Sequence, residues 1–69
     1  MINTSELKGI IVKEGKSQRA VAKELGITPE TFYRKMKKGV FDSDEIEHMI
    51  LFLNIEDPIS VFFATKVTR

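Results

Sequence analysis

An all-α fold of five short helices joined by tight turns is what this sequence predicts, and three observations predict it. Apolar residues recur at i, i+3, i+4 spacing, in Leu7, Ile10 and Ile11 and again in Ile46, Met49, Ile50 and Leu53. Cap-forming residues stand where these patterns begin: Asn3, Ser17, Thr28, Asp42 and Asp57. Gly15, Gly26, Gly39 and Asn54 stand where they end, at positions suited to the left-handed backbone that stops a helix.

The first helix is expected from about Asn3 to Glu14. Asn3 and Glu6 have capping-box spacing, Ile2 and Leu7 form a hydrophobic staple around them, and Gly15 ends the element. Ser17 caps a second helix that runs to Leu25 and offers Ala20, Val21 and Leu25 to one face. Gly26 ends it, Ile27 dips back towards the core, Thr28 caps the next helix, and Pro29 fits the first helical position because its missing N–H would be unpaired there. The third helix runs from Pro29 to about Lys38, with Phe32 and Met36 inward, and Gly39 stops it. Two helices meeting at a glycine-containing turn, over residues 17–38, have the layout of a helix-turn-helix.

The fourth helix starts at Asp42, which pairs with Glu45 as a capping box while Phe41 staples against Ile46; Asn54 is its left-handed end. A fifth, short helix uses Asp57 as cap and Pro58 as its first residue, with Ile59, Phe62 and Phe63 on one side. The tail from Ala64 to Arg69 alternates β-branched and polar residues, which fits either a strand or frayed chain.

At 69 residues the chain is expected to form a single domain, residues 1–69, near the lower size limit for a self-standing core. With no cysteine and one histidine, His48, stability must come from helix packing, and no metal or other cofactor is expected. The longest apolar run, Met49 to Leu53, is too short to span a bilayer, and MINTSELKGI lacks the layout of a signal peptide. A cytoplasmic protein without membrane association is the expectation. Asp42-Ser43-Asp44-Glu45 lacks the spacing and central glycine of a calcium loop, and helix capping explains it. There is no nucleophile–base pair, phosphate-cradling glycine loop or Cys/His cluster, so an enzyme is not expected.

Charge is unevenly spread. Lys16, Arg19, Lys23, Arg34, Lys35, Lys37 and Lys38 stand against Glu24 and Glu30, a local net of +5. The remainder nets −4, so the overall +1 conceals a dipole. A basic helix pair on a near-neutral protein is the electrostatic footprint of a phosphate-binding face.

On these residues the chain resembles the Cro/phage-repressor type of helix-turn-helix domain, the XRE family. Gln18, Val21, Ala22, Leu25, Gly26, Ile27, Thr28 and Phe32 fall on its spacing of polar opener, apolar, small, apolar, glycine, apolar, cap and apolar. The resemblance covers roughly residues 4–63, and TFYRKMKKGVFDSDEI is further similar to small phage regulators of the Cro kind. It implies a compact five-helix, lambda-repressor-like bundle. One departure is visible: Lys35 stands where the family has an apolar residue, and Met36 follows. Phe32 and Met36 form an i, i+4 pair, which would rotate the third helix slightly.

The resemblance also implies a DNA face, with the N-terminal half of the third helix in the major groove. Its base-facing positions would be Thr28, Pro29, Glu30 and Arg34, with Tyr33 beside them. Arg34 is the best reader, because its planar fork can donate two bonds to guanine O6 and N7. Glu30 could accept from cytosine N4, or could be a first-turn acid favoured by the helix dipole. Pro29 could pack on a thymine methyl or simply start the helix. Gln18 would touch a phosphate and brace the reading helix. Lys16, Ser17, Arg19 and Thr31, with Lys35, Lys37 and Lys38, would contact phosphates and position the protein without reading sequence; an ordinary solvated charged face is the alternative for the lysines.

Phe62, Phe63 and Val67 are candidate dimer contacts, since a monomer of this kind meets only one half-site; the alternative is that the two aromatics close the core. The function expected is a sequence-specific transcriptional regulator, a phage or prophage repressor or Cro-like switch protein, whose partner is an operator in double-stranded DNA. The rival is a protein-interaction module of the same fold, an antirepressor or antitoxin whose partner is another regulator protein.

Overall fold

The computed structural model describes residues 2–63 and is all-helical over them, without a strand. The tail reading from Ala64 to Arg69, Val67 included, lies outside the described residues. The helices are α1 (Thr4–Lys13), α2 (Gln18–Leu25), α3 (Pro29–Lys38), α4 (Ser43–Phe52) and α5 (Pro58–Phe62).

Local side-chain chemistry sets the starts. Asn3 Oδ1 accepts from the Glu6 amide at 3.1 Å, Ser17 Oγ from Ala20 at 3.0 Å and Thr28 Oγ1 from Thr31 at 3.1 Å. At α4 the reciprocal bond is present, with the Asp42 amide donating to Glu45 Oε1 at 2.8 Å. Each bond removes one unpaired amide from a first turn, worth typically about 1 kcal/mol.

The ends of α1 to α4 share one geometry. Gly26 adopts φ 76°, its amide donates to Lys23 O, and the Ile27 amide reaches back to Ala22 O, both at 3.0 Å. Two orphan carbonyls are thereby paired while the chain reverses, at a φ that a Cβ would disfavour. The same pattern of backbone bonds closes α1 at Gly15, α3 at Gly39 and α4 at Asn54. Asn54 is the only non-glycine residue with positive φ, 52°, among the described residues. Its Nδ2 also donates to Glu14 Oε1 at 3.2 Å, joining the ends of α1 and α4.

Leu7, Ile11, Val21, Ala22, Phe32, Met49, Leu53 and Val61 form the fully buried centre. Around it α2 packs against α3 and α4, and α1 against α2 and α5. Phe32 and Met36 are both buried, so α3 presents its i, i+4 pair inward. The expected inward set on α2 is adjusted: Ala22 is buried, whereas Ala20 and Leu25 are half-buried.

The expected face of α5 is corrected. Val61 and Phe62 are buried, while Ile59 and Phe63 are 70% and 58% exposed. A single turn has no period of its own to enforce; its orientation is fixed where the Asn3 amide donates to Val61 O at 2.7 Å, drawing Val61 onto α1. Phe62 therefore closes the core, and of the two aromatics only Phe63 lies at the surface.

Candidate nucleic-acid interface

Behind α3 lies the apolar seat that aims it. Phe32 packs 5.4 Å from the Phe41 ring and, edge-on, 6.3 Å from Tyr33. With Phe32 and Met36 inward, Glu30, Tyr33, Arg34, Lys37 and Lys38 are exposed. Among the described residues no carboxylate pairs with Arg34, Lys37 or Lys38. The outward face of a ten-residue helix is thus basic and unneutralised.

The two threonines are tied to each other. Thr28 Oγ1 accepts the Thr31 amide and donates to Thr31 Oγ1 at 2.9 Å, so the cap consumes the Thr28 proton and leaves the Thr31 hydroxyl proton for an outside acceptor. Pro29 is half-buried at the first position of α3, and Glu30 is the acid in its first turn. At the opening of α2, the Ser17 hydroxyl is occupied as a cap, Arg19 is exposed, and half-buried Gln18 lines an open cleft with Thr4, Lys8, Tyr33, Met36 and Lys37.

Two of the lysines assigned to phosphates have intramolecular partners in the structure. Lys35 Nζ lies 2.7 and 2.8 Å from the two Glu45 carboxylate oxygens and 3.6 Å from Asp42 Oδ2. It stands at the position where an apolar residue was expected, and there it ties α3 to the capping box of α4 instead of reaching outward. Lys16 Nζ sits 5.0 Å from the centroid of the Phe52 ring, a cation–π contact with the last turn of α4. His48 Nε2 lies 2.9 Å from Glu24 Oε2, linking α4 to α2. Sequence reasoning missed this link, the Lys35 pairing and the place of Lys8 in the cleft. None has a signal at fixed spacing, since each joins different helices.

The hydrogen bond to Glu45 holds the Lys35 ammonium above its ordinary pKa, with the Glu45 and Asp42 charges adding to it and partial desolvation opposing. A raised pKa means that the paired, charged form is favoured by folding. Its contribution is complete below the ordinary lysine value, about 10.4, and is lost as pH rises through the higher folded value. Lys35→Met is expected to lower stability by about 1 kcal/mol at neutral pH. The difference from the unaltered protein should shrink in alkaline urea titrations. A difference constant with pH would mean that lost packing, and not the ion pair, is the cause.

Residues 16–39 match the family described as bacterial regulatory protein, Fis family. The segment is a helix-turn-helix similar to that of a DNA-binding regulatory family. The match spans α2, the turn and α3, and supports this motif without singling out the Cro/phage-repressor kind. No curated protein and no solved structure matches the chain. No helix among the described residues is long and apolar enough to cross a membrane.

Proposed function

We propose that the protein is a sequence-specific transcriptional regulator of the phage-repressor or Cro-like kind, acting in the cytoplasm without catalysis. It binds a short operator by placing α3 in the major groove, where it occludes or organises a promoter. The observation that carries this reading is the outward face of α3: Arg34, Lys37 and Lys38 are exposed and unpaired by any described carboxylate, in the motif that matches a regulatory family. Arg34 reads a base edge, and Tyr33, Glu30 and the Thr31 hydroxyl lie within the same presented surface. Two copies on DNA would meet half-sites about 34 Å apart or multiples of it.

Selection of preferred duplexes from a random pool tests the reading, and a consensus should emerge. On that consensus, log affinity should fall linearly with log salt, by about 0.9 for each phosphate neutralised. A binding activity directed at a protein through an apolar interface would show little such dependence. Material that binds no duplex in dilute buffer would remove the proposal and leave the protein-interaction reading in its place.

A further inference from the structure

The cleft between α1, α2 and α3 differs in chemistry from the two clefts on the other side of α1. It is lined by Thr4, Lys8, Gln18, Tyr33, Met36 and Lys37, with no carboxylate among them. The cleft on the α1–α5 side contains Glu6, Glu14, Glu56 and Asp57, and a neighbouring one on α1 contains Glu6. The basic cleft therefore gathers two ammonium groups, one amide, one phenol and one hydroxyl around a single opening. Lys8 and Lys37 are exposed and have no ion-pair partner among the described residues.

We infer that this cleft takes one backbone phosphate of the bound duplex, and that Lys8, on the first helix and outside the motif, is a DNA contact. The inference rests on the DNA-binding reading above and adds to it the strand that runs beside the reading helix. Tyr33 and Lys37 are one helical turn apart and lie together to one side of Arg34, so they face the wall of the groove whose floor Arg34 meets. Thr4 and Lys8 are likewise one turn apart and approach from the opposite side of the cleft. A phosphodiester entering it meets Lys8 and Lys37 from two helices, with Gln18 and the Tyr33 hydroxyl able to donate hydrogen bonds. Two ammonium groups on separate rigid helices fix the position of a strand more narrowly than either alone, while reading no base.

The test compares two single changes on α1 that alter net charge equally. Lys8→Gln removes an ammonium from the cleft, whereas Lys13→Gln removes one that borders the acidic clefts. Affinity is measured over a range of salt on the selected duplex and on an unrelated one. Lys8→Gln should flatten the salt slope by about one unit and weaken both duplexes alike, while Lys13→Gln should leave the slope near that of the unaltered protein. Lys37→Gln should act as Lys8→Gln does. Equal effects of Lys8→Gln and Lys13→Gln, with the unaltered protein binding normally, would overturn the assignment of the cleft and leave the DNA reading standing. Loss of duplex binding by the unaltered protein would overturn both. Circular dichroism of each variant, expected unchanged for exposed side chains, separates lost contact from lost fold.

Discussion

Phe32→Ala is expected to lower stability by about 3–5 kcal/mol, the usual cost of removing a fully buried phenyl ring. Phe32 has no exposed surface, lies against Phe41 at 5.4 Å, and belongs to the central cluster with Leu7, Ile11 and Val21. A 69-residue chain without a disulfide has little reserve, with total stabilities of small domains being roughly 5–15 kcal/mol. At the low end of that range a large share of the population should unfold, and duplex binding should fall with it on every sequence. Urea denaturation followed by circular dichroism measures the loss. A cooperative transition moved by less than about 1 kcal/mol would show that the core does not depend on this ring.

Arg34→Ala should behave in the opposite way. The side chain is exposed and unpaired by any described carboxylate, so the fold should be unaffected. Affinity for the selected duplex should drop by about 1–3 kcal/mol, with discrimination relaxed at one base pair. The decisive comparison is between duplexes. An equal loss on selected and unrelated sequences would make Arg34 a phosphate contact and move the reading role elsewhere on α3.

The parts of this architecture that were legible in the sequence are those set by contacts three to five residues apart. Asn3, Ser17, Thr28 and Asp42 start helices because each cap is decided within one turn, and the four left-handed ends are decided just as locally. Even Asn54, without the freedom of glycine, could be assigned from its place after the α4 stripe. The inward pair of α3 followed from its spacing, and with it the outward place of Arg34. What could not be read was how separate helices meet. Lys35 stands in the basic stretch of α3, yet its ammonium turns to Glu45 because the chain reverses between them. The one-turn α5 shows too little periodicity to reveal that Val61, not Ile59 or Phe63, faces inward. Lys8 lay outside the basic stretch, and only the packing of α1 against α2 brings it beside Gln18 and Lys37.

On α3, the residues that seat the helix are, apart from the Tyr33 ring that meets Phe32 edge-on, distinct from those that face outward. Phe32 and Met36 hold it, Thr28 and Gly39 close its two ends from within the chain, and Glu30, Tyr33, Arg34, Lys37 and Lys38 remain on the open side. Selection acting on target preference can therefore rewrite that open side one letter at a time with almost no penalty to the scaffold. Variants of this chain addressing different control sites could thus diverge along a single rod while sharing one unchanged chassis.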